Sequence, residues 1–376
     1  MLDLKSDLKM RLGRFQAAMA ERGIGTLIAF YGAQHNMLRT DPILLLADFR
    51  VIGPAALLIP KSGDPILILS PPWDLARAKE ISPIADVRAV EESKLAAAIA
   101  AAAKTLPGPL ALTGREVMSL GFARELYRVL GGEPIDGGEV IKATVATRTE
   151  IELERIATAA KIADEGFRVL VDVVKVGMRE YELAAILDTT MQSLGAEDNF
   201  GLMSTGPHNV AIRAVCDRRL EAGDVIVGEI TPCYRGYFAQ LCRTLILGEP
   251  SALQREKYDL LLSAERAGFA AAMPGRSSSN IAKAVNEVIG GAGYAEYCRQ
   301  PYMRTRGHGL GLGGVVPYDV TEDSAPMLER NMTMVIHPNQ YIPETGYMML
   351  GDTVVIEDHG PRPLTNTERR LFWKAV

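Results

Sequence analysis

Residues 223–244 read GDVIVGEITPCYRGYFAQLCRT, and this stretch carries the clearest folding pattern in the chain. Apolar residues of strand-forming type lie on both sides of a Tyr-Arg-Gly-Tyr segment, which is typical of two strands joined by a turn. Three shorter stretches follow: GHGLGL at 307–312, MVIHP at 334–338 and LGDT at 350–353. Strand-rich sequence therefore covers residues 224–247 and 333–356, with helical spacing between them at 252–273 and 279–289.

The sequence before residue 223 divides into two parts. From residue 10 to about residue 138, helical spacing alternates with short apolar runs bordered by Gly or Pro, at 25–29, 53–60 and 65–69. This alternation predicts an α/β domain with a central sheet. Thr149 and Glu152 then fit a capping box that starts a long helix ending near Gly177, and a second helix follows at about 180–194. We expect one domain over residues 1–140 and a second over residues 149–376.

Composition and charge exclude several classes of protein. Lys and Arg number 41 against 46 Asp and Glu, and the net charge of −5 argues against a dedicated nucleic-acid binder. The alanine-rich tract at residues 94–104 is too short to span a membrane, and the N-terminus lacks the pattern of a signal peptide. The four cysteines are irregularly spaced, so we expect neither a disulfide framework nor a thiolate zinc site. These features favour a protein of the reducing cytoplasm.

In order and spacing, these motifs resemble the pita-bread superfamily of creatinase, prolidase, aminopeptidase P and methionine aminopeptidase, peptidase family M24. The resemblance covers most of the chain. It implies a small N-terminal creatinase/prolidase-like α/β domain followed by a C-terminal pita-bread domain with a curved antiparallel sheet. It also implies a homodimer with the site near the subunit interface.

Peptidases of that family hold two metal ions with two Asp, one His and two Glu. The resemblance aligns those five positions, in order, with Glu229, Gln240, His308, His337 and Gly351. One carboxylate of four then remains, and two divalent ions need several carboxylates to offset their mutual repulsion. The resemblance therefore implies a divergent member in which most metal ligands are replaced. A single ion held by Glu229, His308 and His337 stays open, since two imidazoles and a carboxylate can bind a transition metal.

The loss of carboxylates and the gain of a histidine lead to a functional hypothesis. The chain would be a metal-independent, creatinase-like hydrolase that cleaves a C–N bond, of amide or amidine type, in a small molecule. His308 and His337 would act as acid and base near neutral pH, Glu229 would orient or charge them, and water would be the nucleophile. A structural role for each histidine is the competing explanation.

Four further residues are candidates for substrate binding. Arg213 aligns with the position of a histidine that resembles the general base of creatinase, and a guanidinium there would favour an anionic substrate group. Gln240 and Cys242 are expected to face the same cavity, and Arg50 lies near where creatinase places substrate contacts from the partner subunit. The alternatives are a surface position for Arg213 and a small buried apolar role for Cys242.

Three other functions stay open at this point. They are a mononuclear metal-dependent Xaa-Pro-type peptidase, a lyase or decarboxylase on the same scaffold, and a non-catalytic protein that only binds a peptide or metabolite. The expected partner is a small, anionic molecule, with no nucleic acid and no membrane. No cofactor is expected apart from the single ion already considered.

Overall fold

The computed structural model describes residues 3–33, 35 and 37–376. The chain forms two compact units, Met1–Ala146 and Thr147–Val376. No helix among the described residues is both long enough and apolar enough to cross a membrane.

The N-terminal unit is built around a six-stranded mixed sheet with strand order β4-β3-β2-β1-β5-β6. The central strands β1 and β2 are antiparallel, whereas β1 and β5 run parallel. Leu95 and Ile99 of α4 pack on this sheet, and the alanines around them allow close approach. The alanine tract is thus a core helix. The elements of this unit are α1 (Leu4–Glu21), β1 (Thr26–Tyr31), α2 (Pro42–Ala47), β2 (Ala55–Pro60), β3 (Ile66–Leu69), α3 (Leu75–Ile81), β4 (Asp86–Ala89), α4 (Leu95–Ala103), β5 (Leu110–Thr113), α5 (Leu120–Leu130), β6 (Ile135–Asp136) and α6 (Gly138–Thr144).

The C-terminal unit contains four long helices and a curved antiparallel sheet. Its helices are α7 (Glu150–Val173), α8 (Glu180–Ser193), α9 (Ala252–Ala271) and α10 (Ser279–Ile289). Its strands are β7 (Asp198–Asn199), β8 (Leu202–Gly206), β9 (Val225–Ile230), β10 (Pro232–Tyr234), β11 (Tyr237–Phe238), β12 (Leu241–Leu247), β13 (Gly307–Gly309), β14 (Thr333–Ile336), β15 (Gln340–Ile342), β16 (Gly346–Met348), β17 (Gly351–Glu357), β18 (Gly360–Pro363) and β19 (Phe372–Lys374).

The predicted capping box at the start of α7 is confirmed. The Thr149 hydroxyl accepts a hydrogen bond from the Glu152 amide at 3.4 Å, and the Glu152 carboxylate accepts one from the Thr149 amide at 2.8 Å. These bonds satisfy two of the amides that a helix start leaves without partners. At α9, Gly268 allows a close approach to α10, since a Cβ there would lie 2.9 Å from Val285.

The main sheet of this unit has eight strands, with the path β13-β14-β17-β12-β9-β8. Strands β18 and β19 pair with β17 and β12. On one face, Leu241 and Leu245 of β12 pack with α7 and α8 in a large apolar cluster. Because side chains alternate along a strand, Cys242 and Ile246 lie on the opposite face. That second face carries the candidate site. The predicted fold class is confirmed in both units.

Candidate functional site

Three strands place one residue each in a row across the second face of the sheet. Glu229 on β9 pairs with Cys242 on β12, which in turn pairs with Gly351 on β17. His337 lies directly against the last of these positions. A Cβ atom at Gly351 would be 2.6 Å from the Cβ atom of His337. The sheet register thus brings Glu229 and His337 to the same face.

The two candidate histidines are neighbours. Their ring centroids lie 5.6 Å apart, with 65° between the ring planes. His308 is on β13, and His337 follows the last residue of β14, with its amide donating to the Arg306 carbonyl at 3.1 Å. Nδ1 of His308 is 3.2 Å from the Gly309 carbonyl, whereas Nδ1 of His337 is buried without a hydrogen-bond partner.

The environment of the site favours neutral groups. Burial lowers the pKa of His308, and burial together with the charge of His308 lowers the pKa of His337 to about 3. Both imidazoles are therefore neutral at pH 7, and a pKa of about 3 makes His337 a weak base. Burial raises the pKa of Glu229 to about 7, with the positive charge of Arg304 opposing the rise. Glu229 can thus exchange a proton near neutral pH.

Gln240 and Cys242 are both fully buried, but they differ in chemistry. The Gln240 side-chain amide donates to the Thr231 hydroxyl at 3.1 Å, while its carbonyl oxygen has no partner. Cys242 packs with Val225 and Val227, and burial raises the pKa of its thiol well above the usual range. The thiol is therefore protonated near neutral pH. A substrate-binding role for these two residues stays a prediction.

The structure gives Arg213 a different partner from the substrate group expected. Its guanidinium forms a two-pronged ion pair with Glu180, with contacts of 2.7 and 2.8 Å. It also donates to the Ala214 carbonyl at 3.0 Å. The guanidinium already has an internal carboxylate, because Glu180 at the start of α8 is buried and needs a cation. Arg213 as the anion contact is therefore a prediction that the geometry does not support.

Arg50 belongs to the N-terminal unit, where it hydrogen-bonds to Tyr31. Its backbone carbonyl accepts a hydrogen bond from Arg77 at 2.9 Å. Its role as a substrate contact stays a prediction.

The residues at the aligned metal positions do not fit a pair of ions. Among the described residues there is no group of three or more His, Cys, Asp or Glu side chains arranged to hold a metal ion. Gly351 supplies no ligand, and the close approach of His337 leaves no room there for a carboxylate side chain. Glu229 is the one carboxylate in the row, and its raised pKa shows a carboxyl group that is poorly solvated when charged.

Two arginines that shortly precede His308 were not predicted from sequence as residues of the site. Arg304 and Arg306 precede His308 by four and two residues. The charges of both lower the pKa of His337, and that of Arg304 also acts on Glu229 and His308. The Arg-Thr-Arg-Gly-His sequence was the available signal, because residues two apart in extended backbone lie on the same face.

Comparison with known proteins identifies the family. Residues 154–358 match the family described as Metallopeptidase family M24. An Xaa-Pro dipeptidase from Pyrococcus furiosus is 33% identical over 241 residues, covering 62% of this chain and 67% of that protein. An Xaa-Pro dipeptidase from Pyrococcus horikoshii is 30% identical over 279 residues, covering 72% and 77%. This chain belongs to metallopeptidase family M24, a family of hydrolases that act on C–N bonds.

Solved structures show the same fold. The prolidase from Pyrococcus horikoshii OT3 superposes with a TM-score of 0.83 at 24% identity, over 96% of this chain and 99% of that one. The Xaa-Pro dipeptidase from Bacillus anthracis gives a TM-score of 0.85 at 20% identity, over 98% and 100%. The predicted pita-bread fold and family are therefore confirmed.

The comparisons change the functional hypothesis. The relatives reported above are named as Xaa-Pro dipeptidases, and the family is described as one of metallopeptidases. Creatinase-like activity and metal independence find no support among them. The peptidase alternative agrees better with these relatives.

Proposed function

We propose that this chain hydrolyses a C–N bond in a small peptide or peptide-like molecule, with Glu229, His308 and His337 as its acid and base groups. The Xaa-Pro peptide bond is the first substrate to consider, because similar proteins are named for it. The observation that carries the proposal is the pairing of two neutral imidazoles, 5.6 Å apart, on the sheet face that also holds Glu229.

These groups could divide the proton transfers of a hydrolysis. A neutral imidazole accepts a proton from water as the water oxygen attacks the carbonyl carbon. The C–N bond then breaks, and the leaving nitrogen takes a proton from protonated Glu229 or from the imidazolium formed in the first step. Burial raises the pKa of Glu229 to about 7, so both of its forms are populated where such transfer is efficient.

A metal-dependent form of the same reaction is the second candidate, favoured by membership of a metallopeptidase family. A single ion would have to be held by Glu229, His308 and His337. The described side chains are not grouped for an ion in the present conformation. We therefore assign no step of the reaction to a metal.

The deciding experiment measures peptide cleavage and metal content on the same purified protein. Glycyl-L-proline and other dipeptides are incubated before and after chelation, and then with added Zn²⁺, Mn²⁺ or Co²⁺. Chelator-resistant cleavage supports the acid/base mechanism, whereas chelator-sensitive cleavage with stoichiometric metal supports the second candidate. A peptide that binds but is recovered intact would overturn both and indicate a binding protein. Conversion of the peptide to products without hydrolysis of its peptide C–N bond would indicate a lyase or decarboxylase.

Three further features belong to the proposal. We propose a homodimer, which sedimentation of the purified protein would reveal. We also propose a cytoplasmic setting and domain limits at residues 1–140 and 149–376. Support for these comes from the family resemblance, the cysteine spacing and the sequence patterns.

A further inference from the structure

A cavity of about 430 Å³ lies between α7 and the C-terminal segment, residues 366–372. The residues of α7 that line it belong to the apolar cluster on the first face of the main sheet, whereas the candidate site occupies the second face. None of the lining residues is a candidate catalytic residue. The volume falls within the range of about 300–1,000 Å³ that is usual for small-molecule sites.

The inner wall of the cavity is apolar and aromatic. The rings of Phe167 and Phe372 meet edge to face, with their centroids 4.8 Å apart and 77° between the ring planes. These residues are 4% and 8% exposed, and Val171 is partly buried against the same cluster. An apolar wall of this kind favours the binding of a ring, because the ring and the wall both leave water and aromatic groups pack well edge to face.

The wall formed by the C-terminal segment is held from two sides. Asp164 of α7 accepts hydrogen bonds from the amides of Asn366 and Thr367, each at 2.8 Å, and from the Thr367 hydroxyl at 2.6 Å. Arg243 of β12 donates to the carbonyls of Thr367 at 2.6 Å and Glu368 at 3.2 Å. The cavity is therefore formed before any ligand arrives, which lowers the entropy cost of binding.

Most charged groups around the cavity already have partners within the chain. Arg168 pairs with Glu165 at 2.6 Å and with Asp172 at 2.5 Å. Arg370 pairs with Glu368 at 2.7 Å. The opposite charges in these pairs offset each other, so they give a ligand little reason to carry either sign.

Lys161 differs from these groups. It is exposed on α7, lines the cavity, and has no carboxylate within ion-pair distance among the residues that the structure describes. Asp164 and Glu165, one turn further along α7, are held by the C-terminal segment and by Arg168. Lys161 thus leaves one positive charge at the cavity that a ligand anion could neutralise.

We propose that this cavity is a binding site for a small molecule that carries an aromatic ring and one anionic group. The ring packs against Phe167, Val171 and Phe372, and the anionic group pairs with the Lys161 ammonium. This site lies outside the candidate catalytic residues, so the inference goes beyond the proposed function and does not depend on it.

The test compares two probes that have nearly the same shape and differ in charge. The full chain is titrated by calorimetry with 2-naphthoate and with its neutral amide, 2-naphthamide. We expect both to bind, with the carboxylate bound roughly 2- to 5-fold more tightly, as for an exposed ion pair. Lys161→Gln should remove this preference. Lys175→Gln is the matched control, because Lys175 is exposed just after α7 and does not line the cavity.

A second variant locates the probe. Val171→Trp places a large side chain in the cavity and should weaken the binding of both compounds at least roughly 10-fold. Val176→Trp is its control, since Val176 is 47% exposed and lies outside the lining. Urea unfolding shows whether each variant is folded, and Lys161→Gln decides the matter alone should Val171→Trp not fold.

Three results would overturn the inference. The first is a Kd weaker than about 1 mM for both compounds with the original protein. The second is binding that persists unchanged in folded Val171→Trp, which would place the probe elsewhere. The third is a preference for the carboxylate that is absent from the original protein or survives Lys161→Gln.

Discussion

A Cβ atom at position 351 would lie 2.6 Å from the Cβ atom of His337 and 3.2 Å from its Cα atom. Ordinary contacts between such atoms are longer, so position 351 accepts only glycine while residue 337 keeps this place. The alignment with the family expects a carboxylate at each of these two positions. Restoring a carboxylate at position 351 alone would therefore meet a steric obstacle, whereas His337→Glu would meet none from Gly351.

We expect Gly351→Ala to lower the free energy of unfolding by about 1–3 kcal/mol, because the added methyl group overpacks against His337. Urea unfolding measures the change. Gly228→Ala is the matched control, since a Cβ there would meet only the Leu202 carbonyl, at 3.8 Å, in the same sheet. His337→Gly should recover part of the stability lost in Gly351→Ala. A loss that is the same in both glycine variants would contradict the steric explanation.

Glu229 offers a test of the acid/base assignment at a single carboxyl group. Its pKa is raised to about 7 by burial, so it is protonated below that pH and charged above it. If this proton is used, the pH profile of kcat/KM should bend near pH 7, and Glu229→Gln should remove that bend. An unaltered profile in the variant would exclude Glu229 from the titrating step.

Replacing His308 is the stronger test of proton transfer by the histidine pair. His308→Ala should reduce turnover by roughly 100-fold or more if the imidazole transfers a proton. His208 supplies the control, because it is exposed and bonded to the Pro343 carbonyl at 2.8 Å. Its replacement by Ala should leave turnover near that of the original protein. Equal loss in both variants would point to a general effect on folding.

Among the elements, the end residues of helices were predicted more accurately from sequence where a capping motif is present than where none is. The box of Thr149 and Glu152 fixed the start of α7, and α10 spans the predicted residues 279–289. At the other end, α7 stops at Val173, four residues before the predicted end near Gly177. Side chains at a helix start make local hydrogen bonds that sequence reveals, whereas the end of α7 depends on packing of its last turn.

The start of α8 shows why the partner of Arg213 was not predicted from sequence. Burial of Glu180 is outweighed by hydrogen bonds from Arg213, Thr205 and Cys216, which lower its pKa to about 2. These partners lie at least 25 residues away and meet only after β8 and the following segment fold against α8. No local sequence pattern predicts such a contact.

This ion pair predicts a loss of stability in acid. Because the folded-state pKa of Glu180 is depressed, its contribution is present above the unfolded value of about 4.3 and is lost as pH falls toward 2. Glu180→Gln should therefore be less stable than the original protein at pH 6, and the difference should shrink between pH 5 and pH 2. Glu154→Gln, an exposed position on α7, is the control. A difference that does not vary with pH would contradict the ion-pair account.

At the scale of the whole molecule, the order of motifs along the chain was enough to predict the fold class and the curved sheet. Pairing of distant strands then decided the chemistry of the site. Arg306 bonds to Asn286 and Gln340, 20 and 34 residues away, and those contacts exist only in the folded chain. The candidate residues could therefore be found from sequence, whereas their charge states and partners could not.

The face of the sheet opposite the site holds a second buried charge network that joins β12, β17, α9 and the C-terminal segment. Asp352 accepts from Arg243 at 2.9 Å and from Arg369 at 2.8 Å, and Arg369 also reaches Glu265 at 3.2 Å. Burial and the charge of Asp352 raise the pKa of Glu265 to about 8. Folded protein therefore keeps a proton on Glu265 that the unfolded chain releases at a pH near 4.3.

This raised pKa predicts that stability falls as pH rises from about 4.5 to 8, because the unfolded state binds fewer protons over that range. Glu265→Gln keeps the shape of the protonated group but cannot ionise. We measure the free energy of unfolding of both proteins in urea. The value for Glu265→Gln minus that for the original protein should increase by at least about 1 kcal/mol from pH 5 to pH 9. Glu287→Gln on the exposed side of α10 should show no such gain. Parallel pH curves for the original protein and Glu265→Gln would show that Glu265 is ionised throughout, held by Arg369.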